Sequence, residues 1–214
     1  MKNWKIGTRI SAGFGAVIAI AVTLGMFAYT RVGVIDADST SITVHRLPTI
    51  YLAGEIQNRA QANVGLVLLH IAAKDPRDMA AIEAQLGEMM ARNSTDLSQY
   101  EKLITGDKGR AHYEAVKNAR GAAGTARQEA LALSRSSKKA EAAALVKERL
   151  LPANAKYMEA VGNAVSYNKA AADEDSRNIE AAVAVSLLMV IAAVAVLLLV
   201  RVFGRTAPLE ANQV

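Results

Sequence analysis

Two runs of twenty residues without a single charge, 10–29 (ISAGFGAVIAIAVTLGMFAY) and 181–200 (AAVAVSLLMVIAAVAVLLLV), stand near opposite ends of a 214-residue chain. A helix rises about 1.5 Å per residue, so each run is long enough to cross the ~30 Å hydrocarbon core of a bilayer. In lipid a single segment must satisfy its own backbone hydrogen bonds, which leaves helix as the only local structure open to it. The first run is long for the apolar part of a secretory leader. Tyr29, Arg31 and Val32 also follow it where small cleavage-site residues belong, so an uncleaved anchor is expected.

Charge then sets the expected topology. Lys2, Lys5 and Arg9 precede the first run, and Arg201 and Arg205 follow the second, so both ends are expected in the cytoplasm. Residues 31–180 hold 20 Lys and Arg against 19 Asp and Glu, so most of the net charge of +5 lies in the flanks. A basic chain of this kind carries a topology signal and no nucleic-acid footprint. The expected layout is a basic leader over 1–9, a span over 10–30, a translocated domain over 31–180, a second span over 181–202 and a short segment over 203–214. In a bacterial host this is a multi-pass protein of the inner membrane with a periplasmic domain. With no cysteine, that domain must hold together by packing alone.

No alternating Val/Ile/Thr-rich run occurs between the spans, and the pattern is helical throughout. The first stretch continues from the membrane to about Ala73, with Pro48 as its expected kink. A second begins with Asp75 as N-cap and Pro76 in the first turn, and carries Met79, Ile82, Leu86, Leu97, Tyr100 and Ile104 on one stripe until TGDKGR ends it. A third runs from about Asp107 to Leu133 with a thin stripe of Tyr113, Val116, Ala119, Ala123 and Ala130. The fourth starts near Ser137, passes Pro152 and enters the second span. Short connections force neighbours antiparallel, so the expected fold is all-α, an up-down-up-down four-helix bundle whose first and fourth helices continue into the spans. The small residues Ala53, Gly54 and Ala60 suggest a homodimer formed through the first helix.

Function is expected where polar residues break an apolar seam. On a helical wheel, Leu52, Ile56, Asn63, Leu66 and His70 fall within roughly 60° of Arg59. On the fourth helix Met158, Val161, Val165 and Ala172 share a face with Asn154 and Asn168, with Tyr157 at its edge. Arg59, Asn63, His70, Asn154 and Tyr157 are therefore the candidate ligand-binding residues: a guanidinium to grip a carboxylate bidentately, amides and a phenol to orient the solute. The alternative role of each is structural, with Arg59 paired to Glu55 one turn away and a buried Asn or His fixing register. His45 and Arg46 read as a solvated face. The sequence carries no catalytic motif, and the three histidines fall on different helices without ligand spacing, so no enzyme activity, cofactor or metal is expected.

The opening KNWKIGTRISAGFGAVIAIAVTLGMFAY resembles the start of a bacterial methyl-accepting chemotaxis protein of the four-helix-bundle sensor type. LPTIYLAGEIQNRAQANVGLVLL, including Arg59, resembles that family's first periplasmic helix, and LLPANAKYMEAVGNAV its fourth. Pro208 and Leu209 resemble the Pro-Leu pair that opens a HAMP segment. The resemblance implies a receptor that detects a small organic or amino acid and moves its second span. In full-length relatives the signal passes to a coupling protein and a histidine kinase through a region not represented here, so the chain reads as a fragment or as a product that stops where the transmitter begins. A sensor module of a histidine kinase or cyclase, or a receptor homologue that interferes and binds no ligand, are the alternatives.

Overall fold

The computed structural model describes residues 6–205, and among these no strand occurs. Six α-helices and two π-helical turns succeed one another: α1 (Ile6–Thr40), a π turn (Ser41–Arg46), α2 (Leu47–Ala72), α3 (Pro76–Leu103), α4 (Gly106–Arg135), α5 (Lys139–Leu145), a π turn (Val146–Leu150) and α6 (Leu151–Arg205). The backbone stays helical through both π turns, so these elements make four helical stretches and a four-helix bundle. Lys2, Lys5, Pro208 and Leu209 lie outside the described residues, as do residues 206–214 of the expected 203–214 segment.

Two prolines account for the π turns. Pro48 and Pro152 each follow one by two residues, and each lacks the N–H that an α-helix would send four residues back. The carbonyls they would otherwise crowd, those of Val44 and Glu148, lie inside the wider turns. Leu47 N–H bonds Ile42 O, and Leu151 N–H bonds Val146 O, both with the five-residue step of a π-helix. Pro48 therefore widens the first helical stretch where the sequence suggests a kink.

Helix ends follow their local chemistry. Asp75 caps α3 by accepting from the Arg77 amide at 2.8 Å, with Pro76 in the first turn. Gly106 takes a left-handed φ of 70° at the first position of α4, where a side chain would be strained, and Ser137 adopts a φ of 62° in the turn before α5.

The chain divides into two compact units, Thr40–Glu174 and the stretches on either side of it. In the flanking unit, Phe14, Val22, Met26, Leu187, Leu188 and Ile191 are exposed. Three hydroxyls there bond back to the helix: Thr23 to Ala19 O at 2.8 Å, Thr30 to Phe27 O at 2.7 Å and Ser186 to Ala182 O at 2.7 Å. An apolar exterior with internally satisfied hydroxyls is the surface that lipid requires. The helical stretches Gly13–Ala72 and Lys139–Leu199 are each long and apolar enough to cross a membrane, with mean hydropathies of 1.8 and 3.0 in their most apolar windows.

The Thr40–Glu174 unit packs α2 to α6 around two apolar clusters. One joins Leu52, Ile56, Leu97, Tyr100, Tyr113, Val116, Tyr157 and Val161, and the other Leu66, Val67, Leu86, Leu131, Val146 and Leu150. The buried seam of α6 runs Tyr157, Val161, Ala164, Asn168: Val161 and Asn168 of the expected face are buried, while Tyr157, expected at its edge, takes the centre from Met158 and Val165. Tyr157 is long enough to fill the bundle centre, and Met158 and Val165 pack at its margin. Ala53 and Ala60 are core residues at 1% and 2% exposure, so they are not available to a second subunit. The exposed apolar side chains of α2 are Leu47, Tyr51, Leu68 and Leu69.

Candidate functional site

Small side chains open a cavity between the two clusters. Ala60 on α2 and Ala123 on α4 leave space that leucines elsewhere in the bundle fill, and Gly121 and Gly124 widen it. The result is a cavity of about 270 Å³ reached by α2, α3, α4 and α6 and by Leu150 of the second π turn. Its polar lining comprises Asn63, Asn93, Lys117, Arg120, Thr125, Arg127, Gln128, Asn154 and Tyr157. Among the described residues that line it there is no carboxylate.

Three sequence candidates, Asn63, Asn154 and Tyr157, thus meet in one place. Asn63 and Tyr157 are buried at 6% and 4% exposure, and Asn63 Oδ1 and the Tyr157 hydroxyl have no hydrogen-bond partner among the described residues. Leaving such groups unmet costs about 1–3 kcal/mol each, a cost that a polar solute would remove. Burial pushes the Tyr157 phenol up to about 12, against the opposing pull of Arg120, Arg127 and Arg59, so it is a neutral donor at physiological pH.

The cations of the cavity come from α4, where sequence reasoning noted only a thin small-residue stripe. Arg120 donates to Ser94 Oγ at 2.6 Å. Arg127 has no ion-pair or hydrogen-bond partner among the described residues. Its pKa is held down by burial first and by the charge of Arg120 second, although a guanidinium remains protonated under such pressure. Lys117 is half solvated and lies 3.6 Å from Glu114. The missed signal was spacing: positions 120 and 127 are two turns apart on one helix face, flanked by Gly121, Ala123, Gly124 and Ala126, which cover neither.

Arg59, expected at the centre of the site, does not line this cavity and is engaged elsewhere. Its Nε donates to Asn93 Oδ1 at 2.6 Å, Nη1 pairs with Glu55 at 3.0 Å and Nη2 pairs with Asp96. Two carboxylates neutralise it and stitch α2 to α3, and it reaches the cavity only through Asn93. The i,i+4 pair with Glu55 is the one its spacing suggested.

His70 also lies apart from the cavity. It is fully buried, with Nε2 2.9 Å from Glu83 Oε1 and Nδ1 2.9 Å from Ser134 Oγ. A carboxylate only accepts, so Nε2 donates to Glu83, and the Ser134 hydroxyl beside Nδ1 donates to His70 O at 3.2 Å. Lys139 Nζ donates to Ser134 Oγ at 2.9 Å and to His70 O at 3.1 Å, and Arg135 Nε donates to Glu83 at 2.6 Å. This cluster ties α2, α3, α4 and α5 at one end of the bundle and is saturated. Arg46 is likewise structural: it is half-buried rather than solvated and donates to Thr105 Oγ1 at 3.1 Å.

Residues 3–183 match the family described as a four-helix-bundle sensory module for signal transduction. The chain belongs to this family, the sensory module of chemoreceptors. The match spans the bundle and the whole of the first apolar run, and with two membrane-competent helices it gives the sensory module a membrane location. The family's role is sensory rather than catalytic. No curated protein matches the sequence of this sensory module. Among the described residues there is no group of His, Asp and Glu able to hold a metal ion.

Proposed function

We propose that this sensory module detects a small carboxylate solute, an organic or an amino acid, in the cavity between α2, α3, α4 and α6. The observation that carries the reading is the coincidence there of an unpaired, largely buried Arg127 with unpartnered Asn63 Oδ1 and Tyr157 hydroxyl. Arg120 and Arg127 supply charge recognition, and Asn63, Asn154 and Tyr157 orient the solute. Arg59 and His70 hold the helices that shape the cavity.

Transmission rests on α6. One uninterrupted helix, Leu151–Arg205, carries Asn154 and Tyr157 at its start and the apolar stretch from Ala181 onward. A shift of roughly 1–2 Å along its axis on ligand binding is a displacement that helices in switching proteins commonly make. The charge pattern supports a periplasmic bundle with both ends cytoplasmic in a bacterial inner membrane. Leu47, Tyr51 and Leu69, with Gly54 and Gly65 between them, lie along one side of α2 and support a homodimer through that face.

The test is calorimetric titration of the full chain in lipid nanodiscs against panels of organic and amino acids. At least one acid is expected to bind saturably, with loss of binding in Tyr157→Ala and Asn63→Ala variants that remain folded. Saturable binding that survives both substitutions places the ligand elsewhere and overturns the reading. Cysteines at 47, 51 and 69 are expected to crosslink between subunits and cysteines at 53 and 60 are not; the reverse pattern rejects this dimer face.

A further inference from the structure

The same cavity, if it is the sensor site, also restricts the charge of its solute. Each cation that borders it was followed to its counter-charge. Lys117 has Glu114 at 3.6 Å at the solvated rim, Arg120 has only a serine hydroxyl, and Arg127 has no ion-pair or hydrogen-bond partner among the described residues. The nearest comparable guanidinium, Arg59, shows how this fold treats such a group when it is structural, with two carboxylates and an amide. Arg120 and Arg127 stand two turns apart on one face, about 10.5 Å along the helix, and their long side chains reach the same cavity. Two like charges facing one half-open volume repel each other, and the lining holds no acid to relieve them.

From this charge imbalance and the amide-rich remainder of the lining, we infer that the site takes a small acid with two or more carboxylates and no ammonium group. Each guanidinium grips one carboxylate through paired N–H donors. Tyr157 and the amides of Asn63 and Asn154 bond the remaining oxygens. An α-ammonium group would enter a volume bordered by three cations with no anion to meet it, so amino acids are excluded by repulsion as well as by lack of a partner. The volume of about 270 Å³ lies just below the usual small-molecule range of ~300–1,000 Å³, which favours a short chain. The inference deepens the proposed sensor reading and rests on it.

The test titrates the full chain in nanodiscs with four probes of similar size: succinate, butyrate, aspartate and inorganic phosphate. Succinate is expected to bind at least about ten-fold more tightly than butyrate and aspartate, because the second anionic group meets an unpaired guanidinium and the ammonium meets none. Arg127→Gln should bring succinate down to the level of butyrate. Asn154→Asp adds an acid to the lining and should narrow the gap between succinate and aspartate at least about ten-fold, a gain for aspartate that misfolding would not give. Butyrate or aspartate binding as tightly as succinate overturns the inference and leaves the sensor reading intact. Phosphate binding more tightly than succinate overturns the carboxylate assignment, and no saturable binding by any of the four overturns this inference and counts against the sensor reading as well.

Discussion

Arg59 and Arg127 are two guanidinium groups facing the interior of one small bundle, and their surroundings are opposite. Arg59 lies between Glu55 and Asp96, with Asn93 on its Nε, and joins α2 to α3. Arg127 projects toward a cavity bordered by Arg120 and Lys117 without a carboxylate. A fold that pairs one arginine with two acids has the means to neutralise buried charge. Where it leaves another unpaired beside two orphaned polar groups, the sensor reading proposed above makes the missing partner a ligand. On that reading a satisfied charge is architecture, and an unsatisfied one is a group whose folding cost a bound solute would offset.

The contrast fails most visibly if filling the cavity does no harm to recognition. Ala123→Leu should place a leucine in the space between α2 and α4, remove solute binding by about 100-fold or more, and leave the denaturation midpoint unchanged or raised, as cavity filling commonly does. Titration beside urea denaturation reads both. Binding within a few-fold of the parent locates the site outside the cavity.

Asp96→Ala should act in the other direction. With side-chain exposures of 16% and 19%, the Arg59–Asp96 pair is mostly withdrawn from water, so its loss should cost about 1.5–3 kcal/mol, between an exposed pair and a fully buried one. Solute affinity should change less than about three-fold, because Asp96 does not line the cavity. A large affinity loss at unchanged stability would move Asp96 from framework to site.

A third check uses pH on the saturated His70 cluster. The Glu83 carboxyl is held below its usual value of 4.5, chiefly by the Arg135 hydrogen bond, with His70 adding to it and burial opposing. A depressed folded pKa contributes stability above the unfolded pKa and loses it as pH falls through the folded value. Thermal melts should therefore decline below about pH 4.5, and Glu83→Gln should flatten that decline. Identical pH profiles for parent and variant would show that Glu83 adds nothing.

The smallest effect is expected at Glu55. It is 38% exposed and one turn from Arg59, so Glu55→Ala should cost less than about 1 kcal/mol and leave Asp96 as the dominant partner. A loss equal to that of Asp96→Ala would reverse the ranking of the two acids.

Much of this was legible in the chain. Charge-free runs, apolar periodicity, the Asp75-Pro76 start and the Gly106 break gave the helices, because each rests on local rules. The polar seam gave Asn63, Asn154 and Tyr157 because their period coincides with that of the leucines around them. Wheels drawn one helix at a time do not show which polar group meets a counter-charge on a neighbour. Arg59 stood out because it interrupts an apolar seam, and its local pair with Glu55 was legible as the structural alternative, while its partner Asp96 lies 37 residues away. Arg120 and Arg127 escaped notice because they flank a stripe of alanines and glycines, and the importance of those small residues is the space they leave. The π turns before Pro48 and Pro152 were likewise not foreseen, since helix widening depends on how the bundle holds both sides of a proline.

The central claim is tested most directly by titrating succinate into Arg127→Gln and Arg59→Gln side by side, each with its own denaturation curve. The account predicts that Arg127→Gln loses binding by at least about ten-fold with stability unchanged or raised, while Arg59→Gln binds within a few-fold of the parent and unfolds at lower denaturant. Normal binding by Arg127→Gln together with loss of binding by a stable Arg59→Gln would contradict it and return recognition to the α2 seam.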